Sequence, residues 1–373
     1  MKITRVESYM VRVPLKPERR MVSALGRHDV SDYVVVRLSV DSGIEGVGEA
    51  TVTPRWSGET VWGARAAIDR LLAPRLVGVD VNDVAEIDRR LDAAAVGNHF
   101  AKAALEMACW DVCGKAAGKP VYELLGGPCR EHQVRCRFSL GAYEPERAAR
   151  IAAERVAEGF TTIKVKVGGP VEDDLARVRA VREAIGPRVD LLVDANAAWD
   201  TATAIEALGR MADCRLVLVE QPTPRGDFAA LATVRREAGL PVMADDICFD
   251  LADARELIDR QACDVISIYP GKQGGLRKAM AVASLAAEAG VACTIGSNLE
   301  WDIATSAMGQ LVLAHPNVQV ERYPGDMLGP VYHELRLARN PIRIEGPLVT
   351  VPGGPGLGID VDWDAVLRSS IKA

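Results

Sequence analysis

The feature that most constrains the fold is a regular alternation of short apolar segments with amphipathic stretches, which begins near Gln133. The apolar segments indicate buried strands, and the stretches between them, such as Glu146–Glu158, have the periodicity of helices that bury one face. The predicted strands are Val134–Ser139, Thr162–Val167, Val189–Val193, Leu216–Val219, Val242–Ala244, Val265–Ile268, Ala292–Ile295 and Val318–Val320. Strands that alternate with helices form a parallel sheet, and eight of them at this spacing favour a closed α/β barrel over a doubly wound sheet.

The chain before this alternation has a different pattern. Alternating, β-branched segments predict strands over Lys2–Val13 and Tyr33–Val40, and Ile44–Ala50 returns after a turn as the partner of the second strand. Helical stretches follow, and Gly126-Gly127-Pro128 marks the end of this part. The tail after Ile342 contains short strands again, so we expect it to pack on the first part of the chain.

Composition and charge exclude several classes of protein. Hydrophobic residues make up 49% of the chain and charged residues 26%, with a net charge of −6. This balance offers no basic surface to nucleic acid or to an anionic membrane, and no apolar run is long enough to span a bilayer. The eight cysteines contain no Cys-x-x-Cys pair and no disulfide-like pattern, and they indicate free thiols in a reducing compartment. We therefore expect a cytoplasmic enzyme or binding protein without nucleic-acid or membrane partners.

Charged residues stand at the ends of four consecutive predicted strands. Lys164 and Lys166 lie two positions apart in the second strand and therefore point to the same face, in a segment too apolar to be exposed. Asp194, Glu220 and Asp245 end the next three strands. Strand ends of a barrel meet at one mouth, where three converging carboxylates need a cation between them. Ligation by oxygen alone favours Mg²⁺, with Mn²⁺ as the second choice.

Plainer interpretations exist for each of these residues. The lysines could be solvated surface residues, which is the usual environment of lysine. The three acidic residues could cap the helices that follow them. Either explanation is the more common one for a single residue, but three carboxylates in register beside two lysines in a buried strand favour an active site.

Motifs along essentially the whole chain carry a resemblance to a known family. They are Lys2–Val6, Ala103–Asp111, Gly118–Gly127, Lys164-Val-Lys166, Asp194-Ala-Asn196, Glu220-Gln-Pro222, Gly274-Gly275 and Pro355–Gly358. With these motifs the chain resembles the mandelate racemase/muconate lactonizing enzyme family of the enolase superfamily, and its Lys-x-Lys motif is closest to the muconate lactonizing subgroup. The resemblance implies a modified TIM barrel of (β/α)7β type, residues 129–325, under an α+β cap. The cap would be formed by residues 1–128 and by a returning C-terminal segment, residues 326–373.

The resemblance also implies a reaction. Members of the family bind a carboxylate substrate on Mg²⁺, remove its α-proton with a base and stabilise the resulting enolate on the metal. By this resemblance Asp194, Glu220 and Asp245 are metal ligands, and Lys164 or Lys166 is the base. The chemistry agrees, because an α-proton beside a carboxylate is very weakly acidic and its removal needs strong electrostatic stabilisation. A lysine next to a second cation and a metal ion is expected to have a pKa lowered toward the working pH, which makes it a usable base.

Two positions depart from the pattern of the family. Muconate-type enzymes usually have a second catalytic lysine at the end of the sixth strand, where alignment on the glycine pair places Tyr269. Enzymes of the mandelate racemase type have a histidine at the end of the seventh strand, where Asn298 is the nearest match. Tyr269 could be a weak acid or a packed aromatic residue with a satisfied hydroxyl. Lys272 could reach the site or be structural. Glu321, at the end of the eighth strand, is implied to contact the substrate, and its alternative is a surface salt bridge with Arg322.

The substrate itself is not defined by the sequence beyond a small-molecule carboxylate. The basic loop Pro17–Asp32 and the loop after the first hairpin are predicted to form a lid over the barrel mouth. The candidate substrate-binding residues are Arg27, His28, Arg55, Trp56, Asn196, Lys272, Asn298 and Glu300. A homo-oligomer is expected.

The two departures leave the second face of the substrate without the customary acid or base, and this bears on the reaction type. Inversion of a stereocentre needs a group on each face of the substrate, whereas lactonization or syn elimination needs only one. The sequence therefore favours a cycloisomerase with muconate-like chemistry. The alternatives are a syn-dehydratase of a sugar acid or hydroxy acid, then a racemase or epimerase. A non-catalytic relative is the least favoured class, because both lysines and all three carboxylates are present.

Overall fold

The computed structural model of the protein describes residues 1–372 and contains a curled sheet of seven parallel strands in consecutive order. Each strand pairs with the next along the chain, as expected for a modified (β/α) barrel. The strands are Phe138–Leu140, Thr162–Lys166, Asp190–Asp194, Leu216–Glu220, Val242–Ala244, Val265–Ile268 and Ala292–Ile295. The barrel architecture predicted from the alternation is confirmed.

The first and eighth predicted strands need correction. The segment predicted as Val134–Ser139 is divided between two sheets, because Gln133–Arg135 pairs with the C-terminal tail and only Phe138–Leu140 enters the barrel. Val318 forms a single parallel bridge with Cys293, so no eighth strand is present in the described chain.

An irregular segment fills the eighth position of the barrel instead. Its backbone bonds to one edge of the sheet through Asp326 N–H and Ile295 C=O at 3.1 Å. It bonds to the other edge through Arg137 N–H and Gly325 C=O at 2.8 Å. Pro324 lacks the N–H that a regular ladder would require. The segment thus joins the two edges of the sheet without being a strand.

Helices cover the outside of the barrel and bury their apolar faces against it. The helices of this part are Pro145–Ala157, Val171–Ile185, Thr201–Arg210, Phe228–Glu237, Leu251–Asp259, Pro270–Gln273, Leu276–Glu288, Asp302–Ala314 and Gly329–Tyr332, with a 3-10 turn at Ala212–Cys214. Every residue of Asp302–Ala314 is buried, because this helix lies between the barrel and the first part of the chain.

The first part of the chain forms an antiparallel sheet of three strands, Ile3–Pro14, Val30–Val40 and Glu45–Val52. A small hairpin, Met21–Ser23 and Gly26–His28, lies between the first two strands. The helices here are Pro54–Ser57, Val61–Ala67, Val84–Ala94, His99–Ala117 and Val121–Leu124, with a π-helical turn at Ile68–Leu72 and 3-10 turns at Pro17–Arg19 and Ala73–Arg75. No helix in residues 1–372 is long and apolar enough to cross a bilayer.

The C-terminal tail contacts both parts of the protein. Its strands Arg343–Glu345 and Leu348–Thr350 form a sheet with Gln133–Arg135, and its helix Trp363–Arg368 packs on Ile3–Pro14. Ile371 N–H donates to Met10 C=O at 2.9 Å.

Two buried glutamates of the first part cap helices of the barrel. Glu49 accepts hydrogen bonds from the backbone N–H groups of Trp301 (2.7 Å), Ile303 (3.2 Å) and Ala304 (3.1 Å), at the start of Asp302–Ala314. Glu106 does the same for Leu276 N–H at 2.8 Å, at the start of the preceding barrel helix. A carboxylate satisfies the free N–H groups of a helix start and interacts favourably with its dipole. These capping glutamates connect the two parts of the fold.

The capping glutamates predict a specific dependence of stability on pH. Burial raises the pKa of Glu49 from 4.5 to about 7. Between these two pH values the folded state holds a proton that the unfolded chain has lost, so this residue makes the free energy of unfolding fall as the pH rises from 4.5 to 7. A shift of this size corresponds to about 3 kcal/mol. In Glu49→Gln this contribution is absent, so the stability of the wild type relative to the variant should decrease from pH 5 to pH 7.5.

Urea unfolding of both proteins at the two pH values measures this difference. Glu334→Gln, at an exposed position, controls for the loss of one glutamate. A wild-type-to-variant difference that is the same at pH 5 and pH 7.5 would show that Glu49 does not titrate in this range.

Candidate active site

A cavity of about 350 Å³ lies at the C-terminal ends of the barrel strands. Its floor includes Lys164, Lys166, Glu220, Asp245 and Tyr269, each at or just after a strand end. Its roof is formed by the small hairpin and by the loop that contains Pro54–Ser57. This is the end of the barrel at which enzymes of this architecture place their active sites.

The two lysines of the second barrel strand project together into the site. Lys164 is buried, and its Nζ donates to Asp194 Oδ2 at 3.0 Å and to Glu220 Oε1 at 2.9 Å. Lys166 is partly accessible, and its Nζ donates to Asp194 Oδ2 at 2.5 Å and to Asn196 Oδ1 at 2.7 Å. The solvated-surface interpretation of this pair is therefore wrong.

Three carboxylates follow on the adjacent strands. Asp194, Glu220 and Asp245 are all buried, and Glu220 is directly in register with Asp194. Asp245 accepts hydrogen bonds from Lys272 Nζ at 2.7 Å and from the Tyr269 hydroxyl at 2.9 Å.

The following helices are capped by other aspartates. Asp200, Asp227 and Asp250 accept from the first-turn N–H groups of Thr201–Arg210, Phe228–Glu237 and Leu251–Asp259 respectively. The helix-capping interpretation of the three strand-end carboxylates is therefore wrong, and their side chains are available to the site.

The charged groups of this network shift one another's pKa values. Burial and Arg137 favour the neutral amine of Lys164, but Asp194 and Glu220 outweigh them and raise the pKa of Lys164. Burial likewise opposes the ionised form of Asp194, but the two ammonium groups lower the pKa of Asp194 below its ordinary range. Carboxylates surround Lys164 more closely than cations do, and the expected lowering of a lysine pKa by a second cation and a metal ion stays a prediction.

The donor atoms of the three carboxylates fit a divalent metal ion by their chemistry. They offer oxygen alone, which Mg²⁺ prefers, and they stand on adjacent strand ends. As the side chains are placed, no three acidic, histidine or cysteine groups in residues 1–372 form a metal-binding cluster. Lys164 bridges two of the carboxylates, and Lys272 and Tyr269 hold the third. The residues fit a cation site in which the ammonium group of Lys164 gives way.

The wall across the barrel from the lysines carries no ammonium group that faces the cavity. The strand before Tyr269 is the sixth of the barrel, across from the second, and both Tyr269 and Asn298 line the cavity. The Tyr269 hydroxyl donates to Asp245, and Asn298 Nδ2 donates to Thr51 C=O at 3.0 Å. Burial raises the pKa of Tyr269 well above 10, so its phenol stays protonated.

Lys272 and Glu300 stand behind this wall and do not line the cavity. Lys272 is fully buried, and its Nζ also donates to the carbonyl oxygens of Asp245 (2.9 Å) and Ser267 (2.7 Å). Glu300 accepts from the Ser297 hydroxyl at 2.6 Å, and burial raises the pKa of Glu300 to about 8. The structure thus corrects the prediction that these two residues contact the substrate: both support residues that do line the site.

The prediction for Glu321 is also corrected. Glu321 has an exposed side chain, and its Oε1 lies 3.4 Å from Arg130 Nε on the surface. The buried acidic residue of the eighth position is Asp326, which lines the cavity and accepts from the Ser139 hydroxyl at 2.9 Å. The available signal was a charged residue within the apolar run Gly325–Leu328, which the assignment of a strand over Val318–Val320 obscured.

The roof is tied together by one arginine. Arg55 Nη1 donates to Leu25 C=O at 2.8 Å and packs against Gly26. Gly26 has a φ of +102°, and a Cβ there would stand 2.1 Å from that Nη1 atom, so only glycine fits both the turn and the contact. Trp56 is buried beneath the roof, with its ring centroid 5.3 Å from that of Tyr269. The predicted lid loops therefore lie over the barrel mouth and contact each other.

The other basic residues of the roof are turned to neighbouring groups. Arg27 lines the cavity, but its Nε pairs with Asp29 at 2.8 Å. His28 Nε2 lies 2.8 Å from the Ser31 hydroxyl, and burial lowers the pKa of His28. Of the predicted basic residues Arg27, His28 and Arg55, only Arg55 thus presents free positive charge to a substrate.

Comparison with known proteins gives a consistent result. Residues 5–126 match the family model for the mandelate racemase/muconate lactonizing enzyme N-terminal domain, and residues 147–365 match the enolase C-terminal domain-like model. The chain is 32% identical to muconate cycloisomerase 1 of Rhodococcus opacus over 369 residues, which cover 98% of this chain and 97% of that protein.

Two solved structures with other activities are equally similar. N-succinyl Arg/Lys racemase from Bacillus cereus has a TM-score of 0.95 at 29% identity, with 100% of this chain and 99% of that chain covered. Dipeptide epimerase from Enterococcus faecalis, complexed with Mg and the dipeptide L-Leu-L-Tyr, has a TM-score of 0.91 at 34% identity, with 96% and 100% covered. Three different isomerase activities are thus found among proteins with this fold.

Proposed function

This chain belongs to the mandelate racemase/muconate lactonizing enzyme family of the enolase superfamily, and on that basis we propose that it is an isomerase that moves a proton at the carbon next to a substrate carboxylate. Muconate-like lactonization is the favoured reaction. The observation that carries the proposal is the position of Lys166 on the cavity floor, with no lysine or histidine facing the cavity from the wall of Tyr269 and Asn298 in the described chain.

Asp194, Glu220 and Asp245 would hold the divalent ion, Mg²⁺ or alternatively Mn²⁺. When bound, such an ion stabilises negative charge that develops on the substrate carboxylate. The Enterococcus relative, whose structure contains Mg, supports this choice.

Lys166 is the group best placed to move the proton. Its Nζ borders the cavity, and Asn196 Oδ1 and Asp194 Oδ2 fix its direction. The neighbouring Lys164 is held deeper by two carboxylates and adds positive charge beside Lys166. In a lactonization the ammonium of Lys166 delivers its proton to the carbon next to the carboxylate, and no group on the other face is required.

The cavity supports a substrate with a carboxylate at one end and a largely apolar body. Between the charged floor and the roof the lining includes the apolar Met21, Val52, Trp56 and Leu299, with the polar Thr53, Ser297 and Asn298 along one side. Arg55, at the roof, has no carboxylate partner within residues 1–372 and could receive a second anionic group. A sugar acid, with a hydroxyl on each carbon, would place some of its hydroxyl groups against the apolar part of this lining.

A racemase or epimerase is the second candidate, and one observation favours it. The Tyr269 hydroxyl borders the same cavity from the far wall and carries a proton that it could give to a substrate. The relatives with racemase and epimerase activity are as similar to this chain as the cycloisomerase. A dehydratase needs only one face as well, but no dehydratase is among these relatives.

Reaction in heavy water tests the proposal. Muconates, N-acyl amino acids, dipeptides and acid sugars would be incubated with the enzyme and Mg²⁺, and deuterium at the carbon next to the carboxylate would be followed by NMR. We expect incorporation on one face only, with the lactone as product from a muconate. Deuterium in both stereoisomers at comparable rates would establish the racemase or epimerase instead. Absence of exchange and turnover with every class would contradict both candidates.

A further inference from the structure

An arginine inside the barrel, Arg137, lies below the proposed metal-binding residues. Its side chain is about 1% exposed, and Nη2 donates to Glu220 Oε2 at 3.0 Å. Nη1 donates to Pro324 C=O at 2.9 Å in the segment that fills the eighth barrel position. The guanidinium is thus held between a carboxylate and the backbone, and it has no route to solvent.

Arg137 changes the balance of charge around the three carboxylates. Asp194, Glu220 and Asp245 carry three formal negative charges. The cationic groups in direct contact with them number four: Arg137, Lys164, Lys166 and Lys272. Asp326 adds one more carboxylate nearby, and Asp246 is paired with Arg225 at 3.5 Å. The interior of the site is therefore close to neutral before any metal ion enters.

The four cationic side chains differ in how easily they can move away from the carboxylates. Lys166 borders the cavity and can turn toward a substrate. Arg137 cannot move away, because the surrounding strands enclose it, and it does not lose its proton. Burial works against its charge, but Glu220 and Asp326 raise the pKa of Arg137 above its ordinary value. The positive charge of Arg137 thus permanently offsets one of the three negative charges of the proposed metal ligands.

We propose that Arg137 is a positioning residue that fixes the Glu220 carboxylate and sets the metal affinity of the site, so that a divalent ion binds weakly alone and tightly only together with an anionic substrate. Two added positive charges in a neutral, water-poor interior are unfavourable, and a substrate carboxylate supplies the missing negative charge. The inference rests on the proposed function, since it takes the three carboxylates as the metal ligands.

Isothermal titration of the metal-free protein with Mg²⁺ tests this directly. Loss of the buried cation in Arg137→Gln is expected to strengthen Mg²⁺ binding at least about tenfold, because a unit charge a few ångströms from a dication is strongly felt in the interior. Arg137→Lys keeps the charge and should bind Mg²⁺ within about threefold of the wild type. Arg235→Gln, which breaks the pair with Asp264 before the sixth barrel strand, at the other end of the barrel, is the matched control and should not change the affinity.

The outcomes are distinguishable. Binding by Arg137→Gln that is equal to or weaker than wild-type binding, in a protein with native circular dichroism, overturns this inference and leaves the proposed isomerase intact. Failure of Arg137→Gln to bind Mg²⁺ or Mn²⁺, together with failure of the wild type to bind either ion in the presence of substrate, overturns the inference and the metal assignment together.

A measurement on the wild type alone covers the case in which Arg137→Gln does not fold. The near-neutral site predicts a Kd for Mg²⁺ without substrate that is weaker than about 1 mM, the regime of a small binding free energy. A Kd in the low micromolar range for the substrate-free wild type would overturn the inference, because it would show that Arg137 does not offset the ligand charge.

Discussion

Lys166→Ala is expected to reduce turnover at least about 10³-fold and to abolish deuterium incorporation next to the substrate carboxylate, within the range that a positioned acid or base contributes. Lys166 Nζ is the more accessible of the two ammonium groups on the cavity floor, because Lys164 is held by Asp194 and Glu220, and the histidine of the roof, His28, is paired with Ser31. The loss should be in kcat, because Lys166 acts on the proton rather than on the bulk of the substrate. Steady-state kinetics and exchange in heavy water measure both quantities.

An exposed lysine outside the cavity and an added amine provide the controls for this experiment. Lys119→Ala, at an exposed position of the first part of the chain, should retain wild-type activity. Added methylamine should restore part of the activity of Lys166→Ala, since the cavity left by the side chain opens on the substrate pocket. Turnover within about tenfold of wild type in Lys166→Ala would assign the proton transfer to another group. Tyr269 would then be the first to test.

Glu220→Gln is expected to weaken Mg²⁺ binding in the presence of substrate at least about 100-fold and to lower kcat/KM by about 10³-fold or more, as loss of a metal ligand removes several kcal/mol of charge stabilisation. Glu220 is the central one of the three carboxylates, in register with Asp194 and buried on the fourth strand. The glutamine has nearly the same shape and can still accept hydrogen bonds from Arg137 and Lys164, so the fold should persist.

Calorimetry with Mg²⁺ and thermal unfolding with and without the metal distinguish ligation from folding. Glu237→Gln, on an exposed helix position, is the control for the loss of one carboxylate. Undiminished Mg²⁺ binding by Glu220→Gln would show that the ligand assignment is wrong, whatever its activity.

The sequence predicted the barrel because its strands are short, apolar and separated by helices of even length. The same periodicity located Lys164, Lys166, Asp194, Glu220 and Asp245, since a parallel strand must present its last residue at the mouth of the barrel. The positions of strand-end residues follow from the order and direction of the strands alone, without any detail of side-chain packing. This is why the charged residues at the barrel mouth could be predicted from the sequence.

The remaining residues depend on contacts that a linear pattern does not contain. The eighth position of the barrel is held by isolated backbone bonds rather than by a strand, so Asp326 follows no periodicity, whereas Glu321 directly follows the strand predicted over Val318–Val320. Lys272 follows the sixth strand closely, but the short helix Pro270–Gln273 turns it beneath Asp245. The balance of charge around Lys164 also depends on Arg137, which pairs with Glu220 inside the barrel and follows no pattern in the sequence.

The capping glutamates have a consequence for how such enzymes can be recombined. Glu49 and Glu106 belong to the first part of the chain, yet they complete the starts of two barrel helices. A barrel transplanted under the first part of a relative would keep its helices only if the donor supplies acidic side chains at the same two places. The small roof hairpin pairs with no other strand and caps no helix; its bonds to the rest of the fold include Ala142 N–H to Val22 C=O at 2.7 Å and Arg55 Nη1 to Leu25 C=O at 2.8 Å. We therefore expect that exchange of that hairpin preserves folding in chimaeras, whereas exchange of whole domains succeeds only for pairs that share both glutamates.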